Sequence, residues 1–311
     1  MNGGRKRGPA DALTACVADF VEAGGSAESI FSLLSPYRDG LHGEAAQTQH
    51  GLALSPKKAA ECVLDSARTL AFLRSIQVAI SDVLARKKDV HILEAGGGPN
   101  PLSILAPAAR DERVRVTSID IHNSSVQASK NLARELGVRF TGIEADITSE
   151  RWTCEDPDII IVEAMDAGLL NEPQGAITWA LAKRFGTEAI FLPEKITLHA
   201  QLNRAQTGRT RSSQYFHTLG ELACIDAGFR SAAKTTPLST ALNIRRGFDV
   251  PKGWGEADLW VNTAVIVYKA FQIPPYASDI THALCFMGQN PNGASKINVV
   301  GRMGGRSFSI S

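Results

Sequence analysis

The spacing of apolar residues predicts helices in the first third of the chain. From residue 11 to residue 37, apolar side chains recur every three or four positions, as in amphipathic helices. Gly24 and Gly25 interrupt this pattern, and Pro36 ends it. Residues 37–54 are polar and contain glycine, so we expect a loop or a short helix there.

A helix start follows at Ser55 and Pro56. Serine is a favoured N-cap residue, and proline fits the first helical turn, where its missing N–H is not needed. The helical spacing continues to about Ala85, which predicts one long helix. Residues 1–88 are therefore assigned to an N-terminal helical segment.

Beyond this segment, short apolar runs alternate with helical stretches. A helix is predicted over residues 123–136, capped by Asn123 or Ser124 and ended by Gly137. Strands separated by helices are typical of a parallel sheet, so residues 89–194 are predicted to form a doubly wound, Rossmann-like domain. The predicted strands cover residues 90–96, 114–120, 138–146, 157–165 and 187–193.

The pattern changes again after Pro193. Most of the remaining chain alternates between apolar and polar positions, interrupted by turn residues, which predicts antiparallel strands. Residues 195–311 are therefore assigned to a β-rich C-terminal domain, with a helix expected around His217. The predicted strands cover residues 195–204, 258–271, 280–288, 296–303 and 306–311.

Composition narrows the classes of function. The chain has 311 residues, is 44% hydrophobic and carries a formal net charge of +1, so no strong field draws it toward nucleic acid or a membrane surface. Its five cysteines are scattered and never spaced as Cys-x-x-Cys, which favours reduced thiols over disulfides or a zinc site. We expect a cytoplasmic protein without a signal peptide, a membrane span or a bound metal.

The segment from His91 to Leu105, HILEAGGGPNPLSIL, places three glycines directly after a predicted strand. Glycine there permits a tight turn and lets a ligand approach the backbone. A dinucleotide-binding loop would have a third glycine where Pro101 stands, and a nucleoside triphosphate loop would carry a lysine that is absent. S-adenosylmethionine fits better, because its sulfonium is a cation and the charged residues around the loop are acids.

Those acids stand at the ends of successive predicted strands. Glu94 is expected to hold the methionine ammonium directly or through water, Asp120 to accept both ribose hydroxyls, and Asp146 to lie beside the adenine pocket. The alternative is that these acids only cap strands and helices. The residues predicted to bind the cofactor are Glu94, Gly96, Gly98, Asn100, Asp120, Ile121, Ala145, Asp146 and Glu163.

A pair of glutamates follows the fourth predicted strand. Glu163 stands at its C-terminal tip, and Glu172 lies further on, across a loop that contains Gly168. Two carboxylates on one loop can hold a cation between them, or one can accept a proton from a nucleophile. They could equally be two solvated loop acids.

These segments resemble known enzymes. ILEAGGGPNP and SIDIHN are similar to the first two motifs of class I S-adenosylmethionine-dependent methyltransferases. VEAMDAGLLNEPQ resembles the double-glutamate loop of protein arginine methyltransferases, IFLPEKITLHA their passage into a β-barrel, and ITHALCF their Thr-His-Trp loop. The positions in register are Glu163, Met165, Leu169, Leu170, Glu172, Thr281 and His282.

The resemblance implies an α/β fold with a doubly wound parallel sheet, N-terminal helices and a short β-barrel-like C-terminal domain. It also implies a homodimer, and a role for His282 in orienting a partner acid. The chain departs from the family where Asp166 and Ala167 replace Gly-Tyr, Asn171 replaces an aromatic residue and Ala283 replaces the tryptophan. Aromatic walls suited to an arginine side chain are thus depleted, which favours another nucleophile on the same scaffold.

The sequence therefore predicts an S-adenosylmethionine-dependent methyltransferase. Glu163, Glu172 and His282 are the predicted catalytic residues, which stabilise positive charge on the acceptor or take its proton. The preferred acceptor is a small molecule with an aromatic ring carbon or nitrogen, such as an indole, because the carboxylates can stabilise a cationic intermediate. The chain also resembles bacterial indole C3-methyltransferases that form pyrroloindolines. The alternatives are a protein arginine methyltransferase and a non-catalytic scaffold that binds S-adenosylmethionine.

Overall fold

The computed structural model describes residues 8–149, 151–203, 216–254, 257–285, 295–305 and 308–310. The N-terminal segment consists of α1 Pro9–Ala23, α2 Glu28–Leu33, β1 Ala46–Thr48, β2 Gly51–Ala53, α3 Pro56–Glu61 and α4 Ser66–Leu84. The helices predicted before residue 37 are present, and α1 ends at Gly24, whose φ of 77° suits glycine. The loop or short helix expected over residues 37–54 instead contains the antiparallel β1–β2 hairpin.

The single long helix predicted from Ser55 to Ala85 is wrong. Ser55 does cap α3 by accepting a hydrogen bond from the Lys58 N–H, but α3 gives way to a 3₁₀ turn. Asp65 then caps α4 through a 3.1 Å hydrogen bond from the Arg68 N–H to its carboxylate. An aspartate whose carboxylate accepts a hydrogen bond from a backbone N–H caps a separate second helix here, although the apolar pattern runs on.

A five-stranded sheet forms the centre of the molecule. This segment consists of β3 Val90–Ala95, α5 Leu102–Leu105, β4 Val114–Asp120, α6 Asn123–Leu136, β5 Arg139–Glu144, β6 Ile159–Val162, α7 Gln174–Phe185 and β7 Ile190–Leu192. All strand pairs are parallel, in the order β5-β4-β3-β6-β7, which confirms the predicted sheet. Because the strand order reverses between β3 and β6, a crevice opens at their carboxyl ends.

The start of α6 differs from the prediction, and its end agrees. His122 occupies the N-cap position and makes no side-chain cap, so neither Asn123 nor Ser124 has the predicted role. The Ser124 hydroxyl instead donates to the carbonyl of His42 at 2.6 Å, which ties the N-terminal segment to the sheet. Gly137 ends the helix with a φ of 69°, as predicted.

The C-terminal segment is β-rich, as predicted. Its elements are β8 Lys195–Asn203, β9 Phe216–Ile225, α8 Ala227–Ser231, α9 Leu238–Ala241, β10 Asn243–Asp249, β11 Asp258–Tyr268, β12 Phe271–Ile273, β13 Leu284–Cys285, β14 Lys296–Arg302 and β15 Phe308–Ile310. One antiparallel sheet has the order β12-β11-β8-β9 with β13 paired to β11, and another has the order β10-β14-β15.

Two predictions for this segment need correction. The helix expected around His217 is wrong, because this residue lies in β9 opposite Leu202. Of the strand predicted over residues 280–288, the first part belongs to a 3₁₀ turn, Asp279–Thr281, and only β13 is extended. Residues 286–288 lie outside the described residues.

One hydrophobic core connects all three segments. Leu13 of α1, Phe72 of α4, Ile92 of β3, Leu198 of β8 and Val261 of β11 belong to one fully buried cluster. Continuous packing holds the N-terminal and C-terminal elements in place around the crevice of the parallel sheet. Within the described ranges, no helix is long and apolar enough to cross a membrane.

Candidate active site

A cavity of about 740 Å³ lies at the carboxyl ends of β3, β4 and β6. This volume lies in the range typical of small-molecule sites. Its walls come from the glycine loop, the ends of β4 and β5, the β1–β2 hairpin, the start of α4 and residues 276–282. The structure brings every predicted site residue to this cavity: Glu94, Gly96, Gly98, Asn100, Asp120, Ile121, Ala145, Asp146, Glu163, Glu172 and His282.

The glycine loop turns sharply because two of its residues adopt left-handed backbone conformations. Gly96 has a φ of 72° and Gly98 a φ of 61°. A β-carbon on the intervening Gly97 would lie 2.5 Å from the Ser118 hydroxyl and 3.1 Å from the Pro101 ring, so a larger residue here would require these side chains to shift. The Gly96 N–H donates to the Ile119 carbonyl and the Gly98 N–H donates to Asp120, so the loop is held by the protein itself and can offer a ligand close approach to its backbone.

Glu94 is buried beneath this loop and is engaged with the protein itself. Its carboxylate accepts hydrogen bonds from the N–H groups of Leu102 and Ser103, both at 2.9 Å, and from the Ser103 hydroxyl. Burial raises the pKa of Glu94 to about 7, although these hydrogen bonds favour the charged form. Glu94 thus caps the start of α5. This contact corresponds to the alternative interpretation, in which the strand-end acids cap helices, and not to direct contact with a ligand ammonium.

The other two strand-end acids also brace the backbone. Asp120 accepts hydrogen bonds from the N–H groups of Gly98 and His122, and burial raises its pKa. Asp146 accepts from the N–H and the hydroxyl of Thr148, at 2.8 and 2.7 Å. The strand predicted over residues 138–146 is shorter in the structure: β5 ends at Glu144, so Asp146 lies beyond the strand. A carboxylate has about four acceptor positions, so both acids keep capacity for a ligand.

Glu163 forms a buried ion pair that the sequence did not reveal. The Arg68 Nη1 lies 2.9 Å from Glu163 Oε2, and the two side chains are 7% and 13% exposed. A second guanidinium N–H of Arg68 donates to the carbonyl of Cys62. Burial raises the pKa of Glu163, while Arg68 opposes that rise. The charge of Glu163 is thus largely balanced inside the protein.

The sequence does contain a signal for Arg68. The residues three and four positions further on, Ala71 and Phe72, are apolar, so a helix would place Arg68 on the same inward face as these two. A buried arginine requires an acid or carbonyl groups as partners. The pairing of Arg68 was not predicted, because the prediction treated residues 55–85 as one helix and therefore did not place the start of α4 against the sheet.

Glu172 differs from Glu163 in forming no ion pair within the described part of the chain, although the charge of Arg68 also lowers its pKa. Its carboxylate accepts no hydrogen bond from the residues that the structure describes. Burial and the negative charges of Glu163 and Asp166 raise the pKa of Glu172 to about 8. Glu172 is therefore the member of the pair that can exchange a proton near neutral pH.

The residues that depart from the arginine-enzyme pattern shape this loop. Asp166 accepts hydrogen bonds from the backbone and side-chain N–H groups of Asn171, and from the Glu172 N–H. Gly168 has a φ of 73°, and its N–H donates to the Thr263 hydroxyl of β11 at 2.8 Å. The loop is thus closed on itself and anchored to the C-terminal sheet.

The β1–β2 hairpin packs against the same loop. The N–H of Leu52 donates to the Asn171 carbonyl at 2.7 Å. On the other side, the Gly304 N–H donates to the Leu169 carbonyl at 2.8 Å. A β-carbon on Gly51 would lie 2.6 Å from the Asn171 carbonyl oxygen. The hairpin therefore fixes the backbone that carries Glu172.

Replacing Gly51 with alanine is expected to lower turnover at least about tenfold, because the new methyl group must push the loop carrying Glu172 away. Affinity for S-adenosylhomocysteine, measured by calorimetry, should change less than about twofold. Gly40→Ala is the matched control, since a β-carbon at Gly40 meets nothing within 4 Å. Equal turnover in both variants would show that the hairpin does not position Glu172.

His282 lines the cavity from the C-terminal segment. Its Nδ1 is 3.6 Å from Asp279 Oδ1, and about a third of the side chain is exposed. The nearby Asp65 accepts hydrogen bonds from the Ser278 hydroxyl and the Asp279 N–H, so the start of α4 and this loop are held together. Among the described residues, the acid paired with His282 is Asp279.

Three residues that line the cavity have a buried side-chain atom without a partner in the described part of the chain: Asn100 Oδ1, Arg68 Nε and His122 Nε2. The Asn100 amide nitrogen donates to the Ala60 carbonyl, which turns its Oδ1 elsewhere, and that oxygen has no hydrogen bond. The Arg68 Nε is likewise buried without an acceptor. A free acceptor and a free cationic donor fit the ammonium and carboxylate of an α-amino acid, such as the methionine end of S-adenosylmethionine.

No group of three or more His, Cys, Asp or Glu side chains within the described ranges could hold a metal ion.

No protein-family model matches the sequence, and no curated protein sequence matches it.

Solved structures do match. PRMT1 of Trypanosoma brucei, in an enzyme–prozyme heterotetrameric complex with AdoHcy, is 16% identical with a TM-score of 0.53, over 80% of this chain and 90% of that chain. Protein arginine methyltransferase 10 of Arabidopsis thaliana, in an open conformation, is 13% identical with a TM-score of 0.59, over 82% of this chain and 90% of that chain. The chain therefore has the fold of the protein arginine methyltransferases.

Proposed function

We propose that the protein is an S-adenosylmethionine-dependent methyltransferase. The observation that carries this proposal is one cavity in which a glycine loop, the partner-free atoms Arg68 Nε and Asn100 Oδ1 and the glutamates Glu163 and Glu172 lie together, among the residues that the structure describes. The fold is the one that arginine methyltransferases use, which agrees with the proposal. The cofactor would supply a methyl group made electrophilic by its bond to a sulfonium.

The residues present suit each part of that cofactor. Arg68 Nε would receive the carboxylate of the methionine end, and Asn100 Oδ1 its ammonium. Asp120 would accept the ribose hydroxyls with its remaining acceptor capacity, and Asp146 lies on the adenine side. Glu94 would act from behind the loop, by holding α5 and adding negative charge.

For the acceptor, the proposal is a small aromatic molecule, with C3 of an indole as the specific candidate. Attack by indole C3 leaves positive charge on the ring, and a neighbouring amine can then close to a pyrroloindoline. The reaction releases one proton, which leaves from the indole N–H or, where the ring closes and the indole nitrogen keeps its hydrogen, from the closing amine. Glu172 would take this proton, because Glu163 is ion-paired with Arg68 and Glu172 is not. Buried carboxylates would also stabilise the positive charge as it develops.

The glutamate pair also suits a guanidinium, so methylation of protein arginine is the second candidate. The fold favours it, whereas the loss of aromatic residues from the glutamate loop disfavours it. A non-catalytic scaffold would bind the cofactor without transfer. The partly protonated Glu172 in the cavity favours catalysis over that alternative.

The test has two stages. Calorimetry at modest salt is expected to show heat with S-adenosylhomocysteine, and absence of heat would overturn the proposal. Labelled S-adenosylmethionine is then offered with tryptamine, with N-acylated tryptophan derivatives and with an arginine-rich peptide. Transfer to the indoles alone supports the small-molecule acceptor, and transfer to the peptide supports the arginine alternative. If the protein bound S-adenosylhomocysteine but transferred no methyl group to these acceptors or to a metabolite pool, the non-catalytic scaffold would be the remaining candidate.

A further inference from the structure

Tyr276 contributes an aromatic ring to the cavity from the C-terminal segment. It lies between β12 and β13, and its half-buried side chain lines the same cavity as the two glutamates. No motif or spacing in the sequence distinguishes this tyrosine. The structure also shows that its backbone φ is +61°, a conformation that tyrosine adopts rarely.

The loop that carries Tyr276 is held in this conformation by several contacts. The Tyr276 N–H donates to the Thr281 carbonyl at 3.3 Å, and the Thr281 hydroxyl donates to the Pro274 carbonyl at 3.0 Å. The following residues, Ser278 and Asp279, are bound to Asp65 at the start of α4. A strained residue kept by such surroundings is a mark of functional sites.

The ring is also fixed by its aromatic neighbours. Its centroid lies 6.2 Å from that of Phe216, and Phe216 packs edge-on against Trp260 with centroids 5.9 Å apart. Such contacts hold aromatic rings in defined orientations. Tyr276 therefore presents a positioned ring to the cavity, backed by β9 and β11.

The other walls of the cavity indicate which part of it Tyr276 lines. The glycine loop, Asp120 and Asp146 lie along the sheet edge that the proposed function gives to the cofactor. The walls that remain are those of the glutamate pair, the hairpin and residues 276–282. Tyr276 thus belongs to the acceptor side, with acidic groups elsewhere around the same space.

We propose that Tyr276 forms the wall against which a flat, nitrogen-containing aromatic acceptor stacks, an inference that rests on the proposed methyltransferase function. The ring replaces aromatic surface that the glutamate loop lacks at Ala167 and Asn171. Its face also attracts the positive charge that develops on the acceptor, while Glu163 and Glu172 supply negative charge from the loop. Tyr276 is therefore a residue that determines acceptor specificity.

The test measures binding of tryptamine by calorimetry with the protein saturated by S-adenosylhomocysteine, so that it does not depend on turnover. Tyr276→Gly removes the ring and suits the backbone, because glycine adopts a φ of +61° readily. Its tryptamine affinity should fall about tenfold or more, while Tyr276→Phe keeps the ring and should stay within about threefold. Affinity for S-adenosylhomocysteine should not fall in either variant, and a cooperative thermal transition in each shows that the fold is kept although Tyr276→Gly loses the contact with Phe216.

A second probe separates ring stacking from charge. Agmatine carries an aliphatic guanidinium, so its affinity should fall less than that of tryptamine in Tyr276→Gly. Equal tryptamine affinity in wild type and Tyr276→Gly would overturn the inference, as would wild-type protein that binds agmatine but not tryptamine. If wild-type protein fails to bind S-adenosylhomocysteine, the proposed function itself fails. If wild-type protein binds S-adenosylhomocysteine but does not bind tryptamine, only the role proposed for Tyr276 is wrong.

Discussion

Arg68→Met should weaken the binding of S-adenosylhomocysteine at least about tenfold and destabilise the fold by about 3 kcal/mol. The first effect follows because the buried Nε is the free cationic donor in the cavity. The second follows because Glu163 loses its 2.9 Å partner and is left as a buried charge. Calorimetry and chemical denaturation at pH 8 measure the two effects separately.

The loss of stability in Arg68→Met should depend on pH in a defined direction. Burial already raises the pKa of Glu163, and removal of Arg68 raises it further. A carboxyl group with a raised folded-state pKa favours the folded protein most at pH values below its unfolded pKa, and this contribution is lost as pH rises. The stability difference between wild type and Arg68→Met should therefore be smaller at pH 5 than at pH 8.

Arg74→Met provides the matched control on the same helix. The Arg74 guanidinium donates to the carbonyls of Val21 and Glu22, and it does not line the cavity. This variant should bind S-adenosylhomocysteine like the wild type, and its stability change should not vary with pH. If Arg68→Met bound S-adenosylhomocysteine with unchanged affinity, Arg68 would have no part in holding the amino-acid end.

The parts of the fold that the sequence predicted are those determined by local pattern. The positions of β3 and β4 could be predicted, because each is an apolar run that ends in glycine or an acid. The acids at the strand ends line one cavity, because the carboxyl ends of parallel strands lie at the same edge of the sheet. Gly137 ended its helix as expected, since a left-handed C-cap depends on a single residue. These features require no knowledge of distant contacts.

The features that were missed depend on contacts between distant segments. The three-residue strands β1 and β2 have little pattern of their own, and they pack onto the carbonyl of Asn171. The pairing of Arg68 with Glu163 depends on where α4 restarts after Asp65. Glu94 caps α5 only because Pro101 brings that helix start back over it. Strand-end acids could therefore be located from the sequence, but their partners could not.

Glu172→Gln should lower kcat/KM for the methyl acceptor about 100-fold, because it removes the carboxylate proposed to take the acceptor's proton. In wild type, kcat/KM should rise with pH around a midpoint near 8, the value to which burial and neighbouring acids raise the pKa of Glu172. In Glu172→Gln this rise should be absent. Initial rates of labelled methyl transfer between pH 6 and pH 9 measure both effects.

The same pKa makes a stability prediction that needs no acceptor. Because the folded-state pKa of Glu172 lies above its unfolded value, this residue favours the folded protein at low pH and ceases to do so as pH rises through about 8. Glutamine carries no charge, so Glu172→Gln should raise the thermal midpoint relative to wild type at pH 8.5 and change it little at pH 5. Glu144→Gln, at an exposed carboxylate outside the cavity, should show no such difference. A thermal midpoint of Glu172→Gln that followed wild type at both pH values would mean that Glu172 is ionised throughout, and its role as the proton acceptor near neutral pH would then be wrong.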